Sequence, residues 1–302
     1  MLVPFEPTPG LTRNVEAARN EKVRSWWRVE GRGYTGALRL VARFEDGKTA
    51  FVKCATAPNT ANWIGREQRV YEALGPQLFL PALLGTGDDG TPDAYPFLLL
   101  EDLTDCVWPP PWNDRRLEAV WSALQQVSAW RGPLLGELGS AQADFDNGPG
   151  WARVQNDPVP FLSLGLCSAA WLNTHLPALM YAADNAPLAG DALLHLDVRS
   201  DNLCFRPDGS AVLVDWNWAS RGNAQTDIAC FLPSLTVEGG PLPDSLLPDA
   251  GGFAARLAGW WAASAGLPTP PGASPHLRPL QKAQLIVALA WAARSLKLGE
   301  VQ

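Results

Sequence analysis

The segment Leu193-Leu194-His195-Leu196-Asp197-Val198-Arg199-Ser200-Asp201-Asn202-Leu203-Cys204-Phe205 carries the strongest chemical signal in the chain. It contains H-x-D-x-x-x-x-N, and past a turn the apolar run Ala211 to Val214 delivers a further carboxylate, Asp215. Residues of these types suit proton transfer beside a hard cation. Such chemistry asks for one carboxylate to accept a hydroxyl proton and orient the nucleophile, and for an Asn with a second carboxylate to bind Mg²⁺ through oxygen, a role that Asn202 and Asp215 suit. The same donors disfavour metals that seek thiolate or histidine. Taken singly, each residue has a plainer reading: His195 as a structural histidine that fixes the loop, Asp197 as a turn residue, Asp215 as the cap of a strand. Their conjunction points to chemistry.

Two weaker signals lie upstream. Gly31-Arg32-Gly33-Tyr34-Thr35-Gly36 is a G-x-G-x-x-G, followed by a strand-like alternation and an Asp46-Gly47 turn rather than by a helix. That context fits a β-turn-β flap over nucleotide phosphates better than a dinucleotide-binding turn, with a plain hairpin loop needing positive φ as the equal alternative. Lys53 sits among Phe51, Val52, Cys54 and Ala55, where an ammonium is costly to bury without an anion. Glu67 shares a helical face with Ile64, Tyr71 and Leu74, so it too points inward. Each alone reads as a snorkelling or rim charge. Together they predict a Lys53–Glu67 ion pair that holds the ammonium for phosphate oxygens.

These groups need a scaffold, and the pattern supplies one. Strands are predicted over Trp26 to Glu30, Ala37 to Phe44 and Thr49 to Cys54, then a helix from Asn59 or Thr60, either able to cap it, to Gly75. Runs around Leu83 to Gly85 and Phe97 to Leu100 complete a small antiparallel sheet with one helix. Beyond Asp105, helical periodicity covers Asp114 to Arg131, Phe161 to Ala183, Phe253 to Ala265 and Pro279 to Leu298. Two short strands, Leu203 to Arg206 and Ala211 to Val214, flank an Asp208-Gly209 turn. The expected architecture is α+β and bilobal: a sheet lobe over 1–103 and a larger, mainly helical lobe over 104–302.

Composition narrows the partners. The 302 residues are 47% hydrophobic and 18% charged, which excludes a disordered or fibrous chain. A net charge of -7 and a pI near 5.0 argue against nucleic acid or an anionic membrane as partner. Five cysteines without a C-x-x-C pair fit a reducing compartment. The first ten residues lack the basic start of a signal peptide, and the longest apolar run, Leu285 to Ala293, falls short of the ~20 residues of a membrane span. A cytoplasmic protein, monomer or homodimer, is expected.

The glycine-rich hairpin, Lys53, Glu67, the strand Phe97 to Leu103, the loop His195 to Asn202 and Asp215 occur in an order that resembles the aminoglycoside phosphotransferase and choline kinase-like family, a branch of the protein-kinase-like superfold. The resemblance runs from about Ser25 to Asp227. It implies a kinase that uses ATP and Mg²⁺ to phosphorylate a hydroxyl of a small molecule. Gly31, Gly33 and Gly36 would cover the phosphates and Lys53, paired with Glu67, would contact them. Glu101 and Leu103 would offer backbone groups to the adenine edge. Asp197 would be the catalytic carboxylate, Asn202 and Asp215 the Mg²⁺ ligands, and Asp227 an anchor of the catalytic loop. Arg199 would touch the transferred phosphate. Departures count against a protein kinase: His195-Leu196-Asp197 replaces H-R-D, Asp215-Trp216-Asn217 replaces D-F-G, and no A-P-E segment is evident.

For the acceptor the signals diverge. Residues 1–103 hold 12 basic and 13 acidic side chains, the remainder 12 and 18, so the acidity lies in the acceptor lobe. That charge would attract a cationic hydroxyl compound such as an aminoglycoside or amino alcohol, and equally serves solubility; antibiotic resistance is not a consequence of these residues. Eleven of the 14 tryptophans also lie beyond residue 103. Trp260 and Trp261 share a face with Phe253 and Leu257 and read as core, while Trp218 reads as a pocket wall. An aromatic pocket would suit a bulkier, less polar acceptor.

Overall fold

Alternation along the first strands builds a sheet with two differently used faces. The computed structural model describes residues 1–31, 36–270 and 273–301. In chain order come β1 (Leu2–Pro4), α1 (Pro9–Arg19), β2 (Val23–Val29), β3 (Leu38–Phe44), β4 (Thr49–Cys54), α2 (Pro58–Leu74), β5 (Leu83–Asp88) and β6 (Pro96–Glu101). The six strands form one antiparallel sheet ordered β1-β2-β3-β4-β6-β5. Gly47 takes φ +83 in the β3–β4 turn, a conformation open to glycine without a Cβ penalty, and the turn sets Arg39 opposite Lys53. Leu40, Ala42, Phe44, Val52 and Leu99 pack with Leu11 and Val15 of α1. Arg39, Val41, Phe51 and Lys53 instead line a cleft.

The second helix of this region, α1, departs from the single helix expected. Thr8 caps it by accepting from Leu11 N at 3.2 Å, with Pro9 at the first helical position where its missing N–H costs nothing. The cap of α2 also differs. The helix begins at Pro58 after Ala57, and Thr60 reaches back to accept from Ala57 N at 3.0 Å and Thr56 N at 2.9 Å, doing from inside the helix what a capping side chain does from outside.

Past β6 the chain becomes helical: α3 (Asp114–Ala129), α4 (Leu134–Glu137), α5 (Ala141–Asp146), α6 (Trp151–Asn156), α7 (Val159–Leu162) and α8 (Ala169–Asp184). The single helix expected over Phe161 to Ala183 is thus two, because Gly165 at φ +67 breaks the path and Ser168 caps a new start on Trp171 N. There follow β7 (Ala192–Leu194), β8 (Leu203–Phe205), β9 (Ala211–Leu213), β10 (Ser220–Gly222), α9 (Gln225–Val237), α10 (Pro243–Leu246), α11 (Gly251–Ala265) and α12 (Leu277–Ser295). β7 pairs with β10 and β8 with β9, both antiparallel.

The main core does not stop where the sheet does. Ile64, Val70, Tyr71 and Leu74 of α2 join Phe79, Leu80 and the helical region in one buried cluster. Arg206 strengthens the junction, donating to both carboxylate oxygens of Glu101 at 3.1 and 2.7 Å and to the carbonyls of Leu78 and Leu80 at 2.6 and 3.0 Å. A forked guanidinium on a carboxylate holds both partners in one orientation, so the strand that ends at Glu101 is fixed against the hairpin that follows the His195-to-Asn202 loop. No described helix is long and apolar enough to cross a membrane.

Candidate active site

The His195-to-Asn202 loop is held from three sides. It leaves β7 at His195, and Leu196 takes φ +61, unusual for a leucine. Asp227, in the first turn of α9, fixes this bend by accepting from His195 N at 2.8 Å and Leu196 N at 2.7 Å. Burial pushes the Asp227 carboxyl up to about 6 against the pull of those two N–H groups. The His195 ring, wholly buried, accepts from Asp197 N through Nδ1 (3.2 Å), which places its proton on Nε2, the donor to Val214 O at 2.9 Å. It also meets Trp216 edge-on at 4.6 Å. The histidine is therefore structural, as the sequence suggests: it ties the Asp197 loop to the segment carrying Asp215.

That tie makes a pH prediction. Burial lowers the His195 pKa to about 4, so the unfolded chain binds this proton more tightly and stability falls as pH drops from about 6.5 towards 4. The shift corresponds to about 3 kcal/mol across that window. His195→Asn, destabilised at pH 7, is expected to lose less on acidification, so its deficit against the native chain narrows by about this much by pH 4. Urea unfolding at both pH values measures it, and a deficit constant with pH contradicts the account. Asp227 is present in both chains and cancels.

Inside the loop, Asn202 Nδ2 donates to Asp197 O and Asp197 Oδ2, both at 2.8 Å, which leaves the amide oxygen unused. Arg199 Nε lies 3.0 Å from Asp197 Oδ1, and its Nη2 reaches both Asp197 Oδ2 (3.2 Å) and Asp201 Oδ2 (3.4 Å). Burial raises the Asp197 pKa to about 7, with Arg199 opposing and Asp201 and Asp215 assisting. Arg199 is thus a partner of the carboxylate in this arrangement.

Facing the loop, Lys53 is 7% exposed and bonds both Glu67 Oε2 and Asp215 Oδ1 at 2.6 Å. The predicted Lys53–Glu67 pair is present, with Asp215 as a third member that spacing did not reveal. Burial opposes charge on all three, yet the contacts prevail for Lys53, whose pKa is raised, and for Asp215, whose pKa is lowered. Asp215 stands at φ +67, and Asn217, with its amide turned as its neighbours require, donates to Asp215 Oδ1 (2.9 Å) and O (3.0 Å). Asn217 therefore steadies Asp215 through its nitrogen.

Lys53, Glu67, Glu101, Leu103, Asp197, Arg199, Asn202 and Asp215 all line one cleft of about 700 Å³. Gly31 takes φ +76 and Gly36 passes its carbonyl to Thr56 Oγ1 at 2.8 Å; neither lines the described cleft, and Gly33 lies outside the described residues. Sequence reasoning missed Arg39, although the register of the Asp46-Gly47 hairpin sets it beside Lys53. Trp260 and Trp261, read as core, do pack against the main core but are not enclosed by it. They are half-buried and line the cleft together with Trp218, because α11 packs with one edge of its apolar face turned to the opening.

Residues 27–281 match the model of the phosphotransferase enzyme family. The chain belongs to that family. Among solved structures it is similar to the aminoglycoside phosphotransferase APH(4)-Ia in complex with ADP and hygromycin B, at 11% identity and TM-score 0.59, covering 96% of this chain and 99% of that one. It is likewise similar to the spectinomycin phosphotransferase APH(9)-Ia with ADP and spectinomycin (11%, 0.60, 94% and 98%) and to the choline kinase LicA from Streptococcus pneumoniae (12%, 0.57, 95% and 97%). At such identity the likeness establishes the protein-kinase-like fold. No curated protein matches the sequence significantly. In this family member the cleft therefore lies between a six-stranded sheet and a helical region, as expected from the motif order.

Proposed function

We propose that this phosphotransferase passes the γ-phosphate of ATP, with Mg²⁺, to a hydroxyl of a small molecule, residues 1–103 holding the nucleotide and 104–302 the acceptor. The reading rests on one observation: Asp197, gripped by Asn202 and Arg199, shares a cleft with the buried Lys53–Glu67–Asp215 cluster.

The donor set suits Mg²⁺. Asp215 commits Oδ1 to Lys53 and Asn217 and keeps Oδ2, and Asn202 commits its nitrogen and keeps its oxygen, which leaves two hard oxygen donors. Among the described residues no cluster of three or more His, Cys, Asp or Glu forms a cage, in keeping with a cation that takes few protein ligands and retains water and phosphate oxygens. Bound by Asn202 and Asp215, the ion would neutralise charge on the phosphates. Lys53, with two of its three N–H groups committed, offers the third to phosphate oxygens. The Leu103 N–H has no acceptor among the described residues, while its carbonyl already accepts from Cys106 N, so the N–H is the group left for the adenine edge, beside the carbonyl of Glu101. Asp197 orients the acceptor hydroxyl and takes its proton, and Arg199, beside that carboxylate, is the cation placed to meet the transferred phosphate.

A small acceptor follows from what surrounds the cleft. Only nine residues separate Asp215 from the start of α9, largely used by the Trp216–Trp218 turn and β10, too few for a peptide-docking segment. The five free cysteines favour a reducing cytoplasm. The test is ADP release from Mg-ATP with aminoglycosides, macrolides, choline, amino sugars and a generic protein substrate, Asp197→Ala serving as blank. Release that depends on a small acceptor and is absent from the blank supports the reading. Release driven only by the protein substrate, or persisting in the blank, overturns it.

A further inference from the structure

The wall of the cleft formed by α5, α11 and α12 has a composition of its own. α11 presents Leu257, Trp260, Trp261 and Ser264, and α12 presents Leu277, Leu280, Gln281 and Gln284, each set spaced as one helical face. α5 and the turn after it close the wall with Asp144, Phe145 and Pro149. Asp144 is the single charged side chain among these eleven. Of the other carboxylates that line the cleft, Glu67, Asp197, Asp201 and Asp215 face Lys53 or Arg199, Glu101 faces Arg206, and Asp102 accepts from Thr104 N in the segment after β6. On the wall formed by α5, α11 and α12 a polycation would find one carboxylate to receive it.

The aromatic wall is rigidly placed. Trp260 meets Phe145 edge-on at 5.3 Å and lies over Gly148, where a Cβ would come within 2.0 Å of the indole. At the floor, Gln284 is 2% exposed and has no hydrogen-bond partner among the described residues. A buried amide without partners is disfavoured, and the cleft is the one direction in which this one opens. Gln281 gives its oxygen to Arg278 at 2.6 Å and keeps its NH₂.

Resting on the reading of the cleft as a phosphotransfer site, we infer that the acceptor is a hydroxyl-bearing ring compound with a broad apolar face and at most one positive charge. Its face lies on Trp260 and Trp261, and its polar edge is read by Gln284. Aromatic walls bind apolar ring faces, and an unpaired amide selects a neutral polar edge over an ammonium-rich one.

The experiment is a calorimetric titration of the full chain, without nucleotide, using 2-naphthyl β-D-glucopyranoside as the apolar-faced probe and kanamycin as the polyamine, at 0.15 M salt. The naphthyl glycoside is expected to bind at least ~10-fold more tightly. Trp260→Ala should weaken it ~10-fold and Gln284→Leu ~3- to 10-fold, with kanamycin unchanged. Gly148→Ala, which displaces the indole while keeping it, should act like Trp260→Ala, so the outcome does not hang on one variant's folding; melting temperatures of all three confirm folding. Preference for kanamycin, no binding of the glycoside at millimolar concentration, or binding insensitive to both Trp260→Ala and Gly148→Ala overturns the inference. Mg-ADP titrated separately tests the phosphotransfer reading: its failure to bind would remove that reading and leave the acceptor result standing.

Discussion

Asp197→Ala is expected to lower acceptor-dependent turnover by about 10²- to 10⁴-fold, the usual contribution of a positioned proton acceptor. Nucleotide affinity should stay within a few-fold, because Lys53, Glu67 and Asp215 hold one another without Asp197. Stability should not suffer, since the variant removes a carboxylate whose charge is penalised by burial, and Arg199 retains Asp201. Asp197→Asn is the stricter comparison, keeping shape while losing the basic oxygen. Steady-state kinetics, Mg-ADP titration and urea unfolding on one preparation separate the three effects. Turnover near the native rate in either variant would remove Asp197 from the mechanism.

Lys53→Met should be the most damaging single change to the fold. It leaves Glu67, 1% exposed, facing Asp215 with no cation between them, and uncovering a buried charge in this way costs about 3–5 kcal/mol. The sign of the pH dependence follows. Without the ammonium the two carboxyls share a folded-state pKa above the unfolded value, so their penalty is absent below the unfolded pKa and grows as pH rises through the folded one. The deficit against the native chain should shrink between pH 7.5 and pH 5. Adding Glu67→Gln to Lys53→Met should recover much of the loss, because it removes the more deeply buried of the two uncompensated carboxylates. Urea unfolding of the single and double variants reads this directly; a Lys53→Met chain as stable as the native one would mean that the cluster is not what holds α2 to β4 and Asp215. Phosphotransfer should fall as well, since Lys53 is the cation offered to the phosphates.

Much of the site was readable from residue types and spacing. His195-x-Asp197-x-x-x-x-Asn202 and Asp215 form a local constellation, joined by one short hairpin, and the structural role of His195 and the anchoring role of Asp227 both hold in the hydrogen bonds. The pairing of Lys53 with Glu67 was legible for a different reason: each is a charge on an otherwise apolar face, fourteen residues apart on consecutive elements. The strands β3 and β4 were set by alternation and a glycine turn. The helix at Thr8-Pro9 went unread because a proline-rich start looks like a loop until its first turn finds a sheet to pack on.

By itself, then, the sequence determined the bilobal α+β class, the order of the motifs and most of the polar groups that meet in the cleft, because each is encoded in contacts of short range: a turn, a strand pair, a helix face. Tertiary structure alone decided that Lys53 reaches Asp215 across 162 residues, that Arg39 enters the cleft, and that Trp260 and Gln284 line an opening as well as packing inward. A helix has one apolar stripe, and its periodicity is the same whether the stripe meets a neighbouring helix or a cleft. Which of the two it meets depends on where α11 and α12 sit against α5, and that is settled by packing among distant parts of the chain.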